Sequence, residues 1–291
     1  MISGVVLVAK RGGVGGGPDS PTSHDVVDCV RRALGTDRVG HLGTLDPFAA
    51  GLLVVVVGRA TRLSAFAAGW DKAYEGVIRL GTTTTTDDAT GTPIATSDGW
   101  RALERADVEA ALARFRGAYE QRPPAYSAVK IAGERAYRRA RRGEAVVPAS
   151  RRVEVAELAL DRFAAPDVAF RAAVSSGTYL RSLARDVGEA LGCGAHLAAL
   201  TRTRVGPYRL ADAVAPQAVT LGDLRDPAEL VRVLPRRDLD TAGRGAVIHG
   251  RPIPAGKEEE GAVALFTDGQ LVAVAERVGD VLKPRVVVAE P

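Results

Sequence analysis

Gly40-His41-Leu42-Gly43-Thr44-Leu45-Asp46-Pro47-Phe48-Ala49-Ala50-Gly51-Leu52-Leu53 sets one carboxylate in a tight turn ahead of an apolar run. Pro47 fixes its own φ and drives Asp46 out of helical geometry. Gly43 and Gly51 admit backbone conformations closed to residues with a Cβ. Residues 52–57 are all Leu or Val, about the length of one strand and far too short to cross a bilayer. The stretch therefore reads as a carboxylate on a rigid loop at the mouth of a buried strand, where chemistry is often placed. Taken alone, Asp46-Pro47 is an ordinary turn pair. The surrounding sequence has to decide between the two readings.

The whole chain bounds the choice. It has 291 residues, 46% hydrophobic and 25% charged, an ordinary globular composition for one large domain with or without a small one. The net charge of +4 comes from 39 basic and 35 acidic residues, so a nucleic-acid case must rest on where the arginines cluster. Cys29 and Cys193 are far apart and the four histidines lack metal-ligand spacing, so neither a disulfide framework nor a metal site is expected. The N-terminus has no basic leader or long apolar core and reads as a first strand over residues 4–9. A soluble, cytoplasmic, non-membrane protein is the expectation.

Outward from the turn, glycines at 12, 13 and 15–17 follow that first strand, but Pro18 breaks the dinucleotide pattern and no Gly-Lys-Ser/Thr follows. A flexible loop is expected there. Thr22 or Ser23 can cap a helix over about 25–34, with Val26, Val27, Val30 and Leu34 on one face and Gly35 as the stop. Gly58 to Leu63 carries Arg59 and Arg62, read as surface charges or phosphate contacts. Residues 72–81 form a strand with Tyr74, Gly76, Ile78 and Leu80 on one face. Asp107 is expected to cap a helix bearing Val108, Ala111, Leu112 and Phe115. Arg135, Arg138, Arg139, Arg141, Arg142, Arg151 and Arg152 crowd a segment whose acids are Glu134, Glu144 and little else, which favours a phosphate backbone as partner. Val168, Phe170, Ala172 and Val174 alternate as a strand. A helix then carries Leu180, Leu183, Val187 and Leu191 on its buried side and stops at Gly192. From about Pro235, short strands at 247–254, 262–266, 271–275 and 286–289, with a hairpin turn at 267–270, indicate a small β domain. The division expected is 1–234 and 235–291.

The opening stretch resembles the catalytic-aspartate motif of the bacterial tRNA pseudouridine synthase B (TruB) family, Gly-His-x-Gly-x-Leu-Asp-Pro-x-Ala-x-Gly-x-Leu, at every fixed position. Lys10 and Thr22-Ser23-His24-Asp25 keep part of a second family segment, split here by the glycine-rich insertion. Lys72-Ala73-Tyr74, the threonine and aspartate run 82–91, residues 123–130, Gly177-Thr178-Tyr179-Leu180-Arg181 and residues 192–204 resemble further family stretches. The resemblance covers most of residues 1–210, and the tail resembles a short C-terminal PUA-like RNA-binding domain. It implies the family's mixed α/β fold, a central mixed or antiparallel sheet flanked by helices.

It also implies a stand-alone enzyme that isomerises uridine 55 in the T-loop of tRNA to pseudouridine, with no cofactor, no metal and no obligatory protein partner, working as a monomer. Asp46 would be the nucleophile, Arg181 its partner, and Tyr74 would lie against the uracil. His41 would fill the gap left by extruded bases. Gly43, Thr44, Tyr179, Leu200, Arg62 and Lys10 join the substrate-binding candidates, and Arg138, Arg139, Arg141 and Arg142 the RNA-backbone ones. The chemistry suits these residue types: a carboxylate is ionised at neutral pH, and a neighbouring guanidinium keeps it so when water is excluded. A base inside a folded loop has to be extruded, and aromatic stacking offsets part of that cost. The competing readings are a guide-RNA-dependent relative that shares the aspartate motif, and a tRNA-folding factor that binds without catalysis.

Overall fold

The computed structural model describes residues 2–13, 20–127, 129–131, 133–144, 146–256 and 259–290. In chain order the first part holds β1 (Gly4–Lys10), α1 (Ser23–Leu34), β2 (Val39–His41), β3 (Ala50–Val57), α2 (Ser64–Ala67), β4 (Lys72–Leu80), β5 (Thr82–Thr84), β6 (Pro93–Thr96) and α3 (Arg105–Ala113). It continues with β7 (Gly117–Gln121), β8 (Lys130–Ile131), β9 (Glu134–Arg135), α4 (Ala136–Arg141), β10 (Arg151–Ala164), β11 (Asp167–Val174), α5 (Leu180–Ala190), β12 (Ala195–Val205) and β13 (Tyr208–Arg209). The last part holds β14 (Arg236–Asp238), α6 (Thr241–Ile248), β15 (Ile253–Pro254), β16 (Ala262–Thr267), β17 (Gln270–Val278) and β18 (Val281–Val287).

A nine-stranded sheet runs β1-β3-β12-β4-β11-β10-β7, with β2 added to β3 and β13 to β12. Its pairs are antiparallel except β3 with β12, which is parallel. β3 is therefore central and covered on both faces, which explains its unbroken apolar run. Leu53, Val55 and Val57 pack on Val26, Val27, Val30 and Leu34 of α1. Leu52, Val54 and Val56 turn the other way, into a cluster with Leu63, Tyr208, Leu230, Phe266 and Val274. That second cluster joins the main sheet to the separate five-stranded sheet β14-β16-β17-β18-β15. The fold is thus mixed α/β with a C-terminal β domain.

Local chemistry sets the helix ends. Thr22 caps α1 in a reciprocal capping box with Asp25, and Gly35 closes it in the left-handed region at φ +61°. The Asp268-Gly269 turn between β16 and β17 has φ of +51° and +76°, both positive as a two-residue hairpin of the primed type requires.

Three expectations change. Asp107 does not cap α3; Glu104 does, and Asp107 sits three residues in, its carboxylate accepting from the Glu104 N–H at 2.8 Å. The strand expected at 247–254 does not form as one: Asp240 accepts from the Gly243 N–H at 2.7 Å, and the helix it starts runs through Ile248 and carries Val247 into the C-terminal core. Only Ile253–Pro254 is extended, because packing overrides the strand preference of Val247 and Ile248. The final strand runs Val281–Val287, so of residues 286–289 only 286 and 287 belong to it. Of the glycine-rich insertion, residues 14–17 lie outside the described residues.

Candidate active site

The Asp46 turn joins β2 to β3, and nearly every polar group of its backbone is held. The Ala49 N–H donates to the Asp46 carbonyl at 3.1 Å, closing a four-residue turn with Pro47 at its second position. Ser23, buried at the start of α1, exchanges bonds with both backbone groups of Leu45, at 2.9 and 3.1 Å. Gly43 and Gly51 take φ of +96° and +112°, as their places in the stretch demanded. Gly51 has a second reason to be glycine. A Cβ there would lie 2.3 Å from the Arg202 carbonyl oxygen, where β12 runs alongside β3.

Two buried cations pin the turn. Lys10, 2% exposed, donates to the Ala49 carbonyl at 2.6 Å and to the Pro47 carbonyl at 2.9 Å. Burial pushes its pKa down to about 8, against the pull of Asp46. Arg202, 1% exposed, donates to the carbonyls of Leu52 at 2.8 Å, Gly43 at 3.0 Å and Thr44 at 3.4 Å. Lys10 thus holds this turn through its backbone carbonyls.

Arg181 meets the turn from the first turn of α5. Its Nε and a terminal nitrogen donate to the two Asp46 carboxylate oxygens at 2.9 and 3.1 Å, a bidentate fork. The same guanidinium donates to the carbonyls of Thr86 at 3.0 Å and Tyr126 at 2.9 Å. Asp88 lies 3.6 Å from it and is itself fixed through one oxygen by Thr86 and by the hydroxyl and N–H of Thr90. Arg185, one helical turn on, pairs with Asp87 at 3.2 Å, so α5 holds the 86–88 segment at two points. Burial raises the pKa of Asp87 against that pairing.

Tyr74 and Leu200 are buried in one cluster with Leu45, Phe48 and Leu180, which brings β4, β12, the turn and α5 together. Burial raises the Tyr74 pKa; Arg202, its cross-strand neighbour on β12, opposes that with its charge. Lys72, on the same strand, is lowered to about 8 by burial and by Arg202. His41 is half-buried on β2, its Nδ1 without a partner, and burial first and Arg202 second push its pKa down, keeping the ring neutral at pH 7. Gly43 and Thr44 are exposed beside these groups.

The structure thus gathers Asp46, Arg181, Tyr74, Leu200, Gly43, Thr44 and Lys10, with His41 within the field of Arg202. Tyr179 sits at the start of α5. Gln121 holds its N–H and its carbonyl at 2.8 and 3.1 Å, and the Arg151 guanidinium covers one ring face at 4.7 Å. Arg62 is not brought here. It lies past the opposite end of β3 and donates to the Val287 carbonyl at 3.1 Å. Of the arginine cluster, Arg139 pairs with Glu144 and Arg142 with Glu134 and Glu144, while Arg138 is exposed. The side chains of Arg135 and Arg141 lie outside the described residues. The sequence reading assigned Arg202 and Asp88 no role. Aspartate among threonines was a local signal for Asp88, but its arginine is distant in sequence, and the acceptors of Arg202 are backbone carbonyls at least 150 residues away. Among the described residues no His, Cys, Asp and Glu group could hold a metal ion.

Comparison with known proteins agrees with this geometry. The crystal structure of a Cbf5-Nop10-Gar1 complex aligns with a TM-score of 0.71 and 26% identity over 98% of this chain and 84% of that one. The family model described as TruB family pseudouridylate synthase (N terminal domain) matches residues 31–180, and that described as tRNA pseudouridylate synthase B C-terminal domain matches residues 181–238. Relatives bearing the name tRNA pseudouridine synthase B include one from Thermobifida fusca (strain YX), 46% identical over 99% of both chains. Another, from Arthrobacter sp. (strain FB24), is 41% identical over 99% of this chain and 97% of its own. The protein is an enzyme of the pseudouridine synthase class. It belongs to the TruB family of pseudouridylate synthases.

Proposed function

We propose that this enzyme converts uridine 55 in the T-loop of tRNA to pseudouridine, in the cytoplasm, as a stand-alone protein with Asp46 as nucleophile. The observation that carries the reading is the Arg181 fork on both oxygens of Asp46, which holds the carboxylate aimed in a partly dry site. The N1–C1′ bond breaks with its electron pair leaving on the uracil, while Asp46 bonds to the sugar or to C6 of the base. The freed ring turns and C5 bonds to C1′, while the bond to Asp46 breaks and returns its electron pair to the carboxylate. The C5 proton departs and N1 takes one up, so the product is an isomer and nothing is consumed. Tyr74 and Leu200 supply the wall that keeps the uracil from leaving, and an extruded base stacks on the phenol.

His41, neutral and with a free ring nitrogen, fills the stack that the extruded base leaves. The C-terminal sheet extends the RNA surface as a PUA-like module. The test is incubation with an unmodified tRNA transcript, followed by mapping of the altered nucleotide. Conversion at the single T-loop uridine, in a bare T-arm hairpin as well as in full tRNA, is expected. Conversion elsewhere, or a strict need for a guide RNA, would contradict the proposal.

A further inference from the structure

Arg202 is the most deeply buried charge near the site, and among the described residues no carboxylate forms an ion pair with it. An unneutralised guanidinium inside a core is costly, and an apolar residue of similar size would ordinarily be as stable or more so. What Arg202 has in place of a carboxylate is a set of oxygens from separate pieces of the site. It reaches the Gly43 and Thr44 carbonyls, which lead into the Asp46 turn, and the Leu52 carbonyl, which follows it. Its direct cross-strand partner is Tyr74. One rigid, planar group therefore ties the segment carrying the carboxylate to the sheet position opposite the aromatic ring.

We propose that Arg202 is a positioning residue for the isomerisation: its guanidinium holds the Asp46 turn from the position on β12 directly across the sheet from Tyr74, and so fixes the spacing between the two. This rests on the pseudouridine synthase assignment. The charged groups facing Tyr74 are Arg202 from β12 and Asp46 from the turn, and Lys72, on the strand of Tyr74 itself, lies in the field of Arg202. Arg202 is the one of these that both hydrogen-bonds the turn and pairs with Tyr74 across the sheet. Lys10 grips the same turn from the other side through Pro47 and Ala49, and its contacts do not include Tyr74.

That difference supplies the test. Full-length wild type, Arg202→Gln, Arg202→Lys and Lys10→Met are compared by single-turnover conversion of an unmodified tRNA transcript across pH, by tRNA binding, and by thermal melting to verify folding. Arg202→Gln is expected to bind tRNA as the wild type does, to react about 100-fold more slowly, and to move the limb of the pH–rate profile that titrates with Tyr74 to higher pH. Lys10→Met is expected to slow the reaction without moving that limb. Arg202→Lys keeps a charge but cannot reach three carbonyls at once, so it should be slow with the limb nearly in place. A wild-type rate in Arg202→Lys overturns the proposal even if Arg202→Gln does not fold. A folded Arg202→Gln whose profile superimposes on the wild type overturns it as well. An inactive wild type would instead sink the underlying assignment, so the two failures are told apart.

Discussion

Replacing Arg181 by Met should destabilise the fold by an amount the geometry allows one to work out. The side chain is 5% exposed and satisfies both Asp46 oxygens and the carbonyls of Thr86 and Tyr126, with Asp88 at 3.6 Å. Methionine fills much of the volume but leaves two carboxylates close together with no cation between them. Removing one partner of a buried pair costs about 3–5 kcal/mol. Asp46 is 33% exposed and solvent screens it, while Asp88 keeps its threonine hydrogen bonds, so the lower end, about 3 kcal/mol, applies. At about 2 °C per kcal/mol for a chain of this size, the melting temperature should fall by about 6 °C. Calorimetry of both proteins at neutral pH measures it. Arg181→Met melting with the wild type at neutral pH would show that the fork carries no stability and that its geometry is incidental.

Three further outcomes are expected. Gly51→Ala forces a Cβ to within 2.3 Å of the Arg202 carbonyl oxygen at a φ of +112°, and should cost at least about 3 kcal/mol, seen as loss of folded protein; a normal melt would refute the close approach of β3 and β12. Lys10 titrates near 8 in the folded protein and near 10.5 unfolded, so between those values the unfolded chain holds the extra proton and stability rises with pH. Lys10→Met should remove up to about 1.4 kcal/mol per pH unit of that rise, and identical slopes for the two proteins would refute it. Substituting Arg138, Arg139 and Arg142 together by Gln should weaken tRNA binding and flatten its salt dependence by roughly 0.7–0.9 in log–log slope for each phosphate no longer neutralised; an unchanged slope would leave those side chains with Glu134 and Glu144 alone.

What could be read in advance followed local rules. The turn around Asp46, the capping of α1 and the alternation of β11 depend on neighbours within a few residues, so sequence spacing was enough. The pairing of Arg181 with Asp46 spans 135 residues and was legible only through the family motif. Arg202 stayed hidden, as did the hold of Lys10 on the turn, because the acceptors are backbone carbonyls, which carry no residue-type signature. β12 was not read as a strand, since its register shifts near Leu197 and again between Arg202 and Arg204 break the alternation a strand would show. Arg62 was expected near the substrate on the strength of its charge. The fold instead sends it to the C-terminal sheet, a contact across 225 residues.

The nucleophile is tested most directly by Asp46→Asn, which keeps the size of the side chain and one of the two acceptors facing Arg181 while removing the negative charge. Wild type and variant are each incubated in excess with unmodified tRNA, and pseudouridine is quantified at the T-loop position alongside tRNA affinity. The expected result is tRNA binding close to wild type with no pseudouridine formed. Turnover near the wild-type rate in a folded Asp46→Asn protein would contradict the assignment of this carboxylate as the group that attacks.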